Sequence, residues 1–193
     1  FKQNHPGQLV MEHICGRAKN PEWPPDDWQW ELDKNFYPGH WLYSEGSKVR
    51  SNIPAESGVT YAVQVDDASL FFDDGKNKCH IEVGLCRMDA NGNQDWDYSE
   101  QVLVVGRDET ANKIDIQRNY EDTTPLSFNA DQAWVAPHIS RHEFEGAGVV
   151  GDTMWGYNYS TEGPNDPQGR KFYDYFAEEL TALFRDGYMN QYD

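Results

Sequence analysis

Between Val59 and Tyr159, apolar and polar side chains repeatedly alternate with a period of two. In "GVTYAVQV", Val59, Tyr61, Val63 and Val65 alternate with Thr60 and Gln64. In "KCHIEVGLCRM", Cys79, Ile81, Val83 and Leu85 take one side, while His80, Glu82 and Cys86 take the other. "KIDIQRNY" sends Ile114 and Ile116 inward. Successive side chains of an extended chain point to opposite faces, so such segments make strands with one face in a core. Further strand-like runs, "DYSEQVLVVG", "PLSFNADQAWVAPHIS" and "GAGVVGDTMWGYNYS", are separated by Gly, Asn and Asp. The spacing predicts a mainly β chain, with an antiparallel β-sandwich or jelly roll over residues 58–160.

The flanks follow other rules. Residues 1–57 carry Pro21, Pro24, Pro25 and Pro38 among many large rings. Proline fixes φ and removes a backbone donor, so this aromatic segment is expected to be irregular. A short helix is expected over residues 7–18, where Leu9, Val10, His13 and Ile14 form an apolar stripe. Near the other end, Phe172, Phe176, Leu180, Leu183 and Phe184 recur at helical spacing, and Gly187 is a suitable stop. They predict a C-terminal amphipathic helix over 166–187. The chain is read as a single domain, 1–193.

The formal net charge is −17. A field of that sign repels phosphate backbones and anionic lipid, so nucleic acid is not an expected partner. No apolar run reaches the roughly 18 residues of a membrane span, so no membrane insertion is expected. The sequence opens on Phe1, which reads as a mature secreted form or a trimmed chain. With the composition, this gives an extracellular or cell-surface expectation. Of three cysteines, Cys79 and Cys86 are seven apart on one predicted strand and face opposite ways, so they are not partners. Cys15 could pair with either, or all three could be buried thiols.

The stretch "RMDANGNQDWDYSE" sets Asp89, Asn91, Asn93, Asp95, Asp97 and Glu100 at the spacing of a calcium loop. The glycine falls at Gly92 instead of the sixth position, and both flanks are strand-like, which argues against an EF-hand. The alternatives are a hairpin turning at Asn91-Gly92 and a structural calcium ion held by Asp89, Asn91, Asn93, Asp95 and Asp97. Asp73-Asp74 is a second acidic turn of the same kind.

From about Gly58 to Tyr159, the order "GVTYAVQV", "IEVGLCRMDANGN", "KIDIQ", "FNADQAWVAPHIS" and "GAGVVGD" resembles the jelly-roll carbohydrate-binding modules appended to polysaccharide-degrading enzymes. The shared features are strand and turn patterns over roughly half the chain. The resemblance implies non-catalytic binding of a polysaccharide and a calcium ion that braces a turn.

A sugar ring presents a C–H face that stacks on Trp or Tyr. Candidate platforms are Trp28, Trp30 and Trp41 in the proline-rich segment, Trp96 near the hairpin tip, and Trp155 with Tyr157 on a late strand. His138 and His142 are four apart; on a strand they stand too far apart to share one ion. Two other functions fit the composition. One is a self-assembling structural subunit of a virion, pilus or filament. The other is a polysaccharide-active enzyme using paired carboxylates.

Overall fold

The computed structural model describes residues 18–19, 37–56, 58–72, 81–143 and 152–185. The predicted helix over 7–18 lies outside these residues except for Ala18, which is extended and opens a strand, and Trp28, Trp30, Cys15, Cys79 and the Asp73-Asp74 turn lie outside them. In chain order the strands are β1 (Ala18–Lys19), β2 (Ser47–Val49), β3 (Thr60–Gln64), β4 (Glu82–Met88), β5 (Gln94–Asp108), β6 (Lys113–Gln117), β7 (Ala133–Pro137), β8 (Ser140–Glu143) and β9 (Asp152–Gly156). A helix, α1 (Phe172–Arg185), follows. The mainly β, antiparallel expectation therefore holds. Six strands form one sheet in the order β2-β7-β4-β5-β6-β3, and β1-β9-β8 form a three-stranded sheet.

The larger sheet curls until its edge strands meet. Val49 of β2 bridges Val65 just beyond β3. The Arg50 amide donates to the Gln64 carbonyl at 2.7 Å, and the Asp66 amide donates to the Lys48 carbonyl at 3.0 Å. Two register shifts in β5 provide the bends, one opposite Cys86/Arg87 and one between Val104 and Gly106.

The alternation in the sequence explains what fills the inside. In β6, Ile114 and Ile116 are buried while Lys113, Asp115 and Gln117 are exposed. Val83 and Leu85 of β4, Val102 and Val104 of β5, and Val135 of β7 join them, with Ile53, Phe71 and Phe128 closing the cluster. Within this interior lies one ion pair. Arg118 grips Glu100 through Nε to Oε1 and through Nη2 to Oε2 at 2.7 Å, with both side chains fully buried. Arg118 also donates to the carbonyls of Pro54 and Leu126, and the Leu126 amide donates to Glu100 at 2.6 Å. Burial pushes the Glu100 carboxyl up, and Arg118 and that amide oppose it.

Two expectations are corrected in detail. The helix begins at Phe172, six residues later than predicted from 166. Asp166 holds the intervening loop by accepting from the amides of Gln168 (2.9 Å) and Arg170 (2.8 Å), and Gly169 takes φ +80°. Asp174 then reaches back to the Lys171 amide at 2.9 Å, which caps the first turn. The second correction concerns β4. Glu82 and Cys86, expected on a polar face, are 2% and 0% exposed, because residues 37–43 and the chain around Trp155 fold over that face. Cys86 is a free thiol there, and burial raises its pKa far above that of a reactive cysteine.

Candidate functional site

The outer face of the larger sheet is built from β4, β5 and β7. Paired positions share a face, so Gly84 lies beside Gln101 and Ala136, and Cys86 beside Ser99 and Trp134. Over this face fold residues 37–43 and the stretch from β9 to α1. Trp41 bridges Tyr157, and Tyr43 bridges His138. What they cover is a polar network. The Gln101 amide nitrogen donates to the Tyr43 hydroxyl at 3.3 Å, so its oxygen faces His138 Nε2 at 2.7 Å. Nε2 therefore carries the proton. The Tyr43 hydroxyl donates in turn to the Pro38 carbonyl at 2.9 Å. Glu82 accepts from Trp155 Nε1 at 2.6 Å and from the Tyr120 hydroxyl at 2.9 Å.

Tyr120 is aimed by strained backbone. Asn119 and Glu121, on either side of it, take φ +60° and +49°. A left-handed conformation costs a non-glycine residue about 1–2 kcal/mol. Thr123 anchors the same turn, accepting from the Gln101 amide at 3.0 Å and donating to the Tyr120 carbonyl at 2.8 Å.

His138 is 1% exposed, and its Nδ1 has no hydrogen-bond partner among the described residues. Burial holds its pKa well below the ordinary value. Its ring stacks on Trp155 with centroids 3.6 Å apart and packs on Tyr43 at 4.4 Å. The stack continues both ways. Tyr43 stacks on Trp96 at 4.2 Å. Trp155 meets the edge of Trp41 at 5.4 Å, Trp41 stacks on Tyr157 at 4.7 Å, and Tyr157 stacks on Phe172 of α1 at 4.2 Å. The interior of this network is sealed, and its protons are committed to named acceptors.

The expected platform residues thus separate. Trp41 and Trp155 are 7% and 0% exposed, so their faces are taken up by neighbouring rings, contrary to the expectation of open platforms. Tyr157 is half-buried between Trp41 and Phe172. Trp96 is half-buried at the end of the stack. It stands there because the register of β5 against β4 jumps from Ser99↔Cys86 to Asp95↔Arg87, leaving Trp96, Asp97 and Tyr98 as a bulge. The side chains around that bulge are polar. Tyr37 donates to Asp97 at 2.9 Å, Arg87 donates to Asp95 through Nε at 3.0 Å, and the Arg87 guanidinium lies 4.7 Å from the Tyr98 ring centre. Trp134, half-buried on the same outer face, was not singled out from the sequence, although its alternation with the core residues Ala133 and Val135 marks it as outward-facing.

The acidic stretch forms the β4–β5 hairpin. The Asp89 amide donates to the Asn93 carbonyl, and Gly92 takes φ +85°. Asp89 accepts from the amides of Asn91 and Asn93, both at 2.8 Å, and the Asn93 amide holds its pKa below the ordinary range. Asp95 and Asp97 belong to β5 and engage Arg87 and Tyr37 instead. Among the described residues, no group of three or more His, Cys, Asp or Glu side chains could hold a metal ion. His138 and His142 fall on extended chain, His142 within β8.

Gly84 is where the sheet and its aromatic cover come closest. A Cβ there would lie 2.5 Å from Tyr43 Cε1 and 3.0 Å from Trp96 Cζ3. Gly84→Ala is expected to lower stability by about 1–3 kcal/mol, read from the urea midpoint, with loss of near-UV circular dichroism from the displaced rings. An unchanged midpoint and spectrum would show that the cover does not press on the sheet.

No family model, curated protein or solved structure matches the chain.

Proposed function

We propose that this is an extracellular, non-catalytic carbohydrate-binding protein that grips its ligand at the β5 bulge. The observation that carries the reading is the placement of Trp96. A three-residue bulge throws it onto the outer face, where Tyr43 stacks against one side of the ring. Bulges commonly re-aim a side chain at a binding site. An indole stiffened by stacking loses little entropy when a sugar ring settles on it. Asp97 and Tyr37 supply an acceptor and a donor for hydroxyls beside that indole, and Trp134 offers a second ring. The jelly-roll likeness of the sequence belongs to this reading, with the curled sheet and its aromatic cover as the two layers. The His138–Glu82 network is consistent with a scaffold role, since Glu82, Gln101, His138 and Trp155 are buried.

A glycan array with neutral and acidic polysaccharides tests the proposal. Trp96→Ala is expected to weaken binding at least about tenfold, equivalent to about 1.4 kcal/mol, while leaving the urea midpoint within about 1.5 kcal/mol of wild type. Running the array in calcium and in chelator tests at the same time whether the 89–97 turn takes the ion. Absence of any glycan signal, or a Trp96→Ala protein that binds as tightly as wild type, rules the reading out.

A further inference from the structure

A cavity of about 370 Å³ opens away from the Trp96 surface, lined by Phe71, Phe72, Ile81 and the β5 residues from Leu103 to Arg107. Its volume is at the small end of the roughly 300–1,000 Å³ typical of small-molecule sites. The sequence builds it from the second irregularity of β5. Val104 points into the core at 5% exposure, the register then shifts, and Val105 is left 51% exposed at the rim. Gly106 follows, where a Cβ would meet Asp115 Oδ2 at 2.9 Å. Phe71, fully buried, forms part of the floor.

Among the described residues of this lining, Arg107 is the charged one. Its Nη1 donates to the Phe71 carbonyl at 2.9 Å, which fixes the guanidinium at the edge of the cavity, 5.8 Å from the Phe72 ring centre. Its Nη2 pairs with Glu109 at 2.8 Å. The Glu109 side chain is 54% exposed, and an exposed pair of this kind contributes little. A guanidinium has five N–H donors, so Arg107 can accept a second carboxylate, or exchange Glu109 for it, at small cost.

We propose that this cavity binds a small amphipathic carboxylate, with its apolar body on Phe71, Ile81 and Leu103 and its carboxylate on Arg107. The overall charge of −17 does not forbid an anion, because repulsion from distant acids is screened over about 8 Å at physiological salt. The site is independent of the glycan reading.

The test is titration of the isotope-labelled full chain with decanoate and, in parallel, with decanol, followed by amide NMR. Decanoate is expected to bind saturably and to shift the amides of Phe71 and of Leu103 to Arg107. Arg107→Met is expected to weaken decanoate about tenfold while leaving decanol unchanged. Val105→Asp changes an exposed position and so keeps the fold; it should weaken decanoate through like-charge repulsion and spare decanol. Trp96→Ala should bind decanoate as wild type does, which separates this result from failure of the glycan proposal. Equal affinity for decanol and decanoate in the wild type, shifts confined to other residues, or no saturable binding would each overturn the proposal.

Discussion

Arg118→Met is expected to destabilise the protein by about 3–5 kcal/mol, a large share of the roughly 5–15 kcal/mol that holds a domain together. The reason is asymmetry. With both partners present, Glu100 is neutralised by a two-pronged contact and by the Leu126 amide. With the guanidinium gone, a fully buried carboxylate keeps only that amide, and the carbonyls of Pro54 and Leu126 lose their donor. Burial already raises the Glu100 pKa, and Arg118 is what opposes it. In the variant the carboxyl therefore takes up a proton on folding. A group whose folded pKa is raised stabilises below its unfolded pKa and loses that contribution as pH rises. The deficit of Arg118→Met should thus be greatest at neutral pH and shrink towards pH 4.5, the ordinary value of the glutamate. Glu100→Leu combined with Arg118→Met should recover part of the loss, since it removes the stranded charge but not the unpaired carbonyls. Urea unfolding at pH 7 and pH 5 reads all three. A loss below about 1 kcal/mol in the single variant would show that the pair is not a structural centre.

This pair shows where reading from the sequence stops. The strands around it were readable because each has one buried face: Ile114 and Ile116 in β6, or Val63 and Val65 around β3, can be satisfied only by a core on that side. Glu100 breaks the pattern. It sits on the inward face of β5 opposite Leu85, and its partner lies beyond the end of β6. Nothing in local alternation distinguishes an inward carboxylate with a partner from an outward one without. The same limit hid the aromatic stack. Trp41, Trp155 and Tyr157 were rightly recognised as an unusual concentration of rings, but whether a ring faces solvent depends on what folds over it. Here the segment 37–43 lies against a strand more than a hundred residues later. The hairpin tip was readable, since Asn91-Gly92 is a local turn signal and Gly92 adopts positive φ. Its calcium-loop spacing is a pattern along the chain, and the turn itself is closed by backbone amides donating to Asp89. Asp89 closes the turn, whereas Asp95 and Asp97 sit on an extended strand, where one-dimensional spacing does not converge on a point.

Lowering the pH below 6.5 is expected to weaken the contact between the sheet and its cover, and His138 is the group responsible. Its ring lies between Trp155 and Tyr43, with Trp41 at its edge and Gln101 on Nε2. Glu82 is held one step away, on the Trp155 indole. A second proton on the ring would sit on Nδ1, which has no acceptor among the described residues, in a site closed to water. Burial accordingly depresses the folded pKa well below the ordinary 6.5. A depressed folded pKa means that the unfolded chain binds the proton first. The stabilisation is therefore present above pH 6.5 and is lost as pH falls towards the folded value, by up to about 1.4 kcal/mol per pH unit. His40, also lowered by burial, adds a contribution of the same sign. Exposed aspartates such as Asp66 and Asp67, held low by Arg50 and Ser69, respond only below their ordinary 3.8. Urea unfolding between pH 7.5 and 5 should thus show a wild-type stability that falls with pH and a His138→Gln slope that is shallower by about one proton. The comparison is of slopes, because the substitution also removes stacking and lowers stability at every pH. Parallel slopes would mean that His138 takes up its proton as readily in the folded protein as in the unfolded chain, and the sealed, neutral network would have to be abandoned.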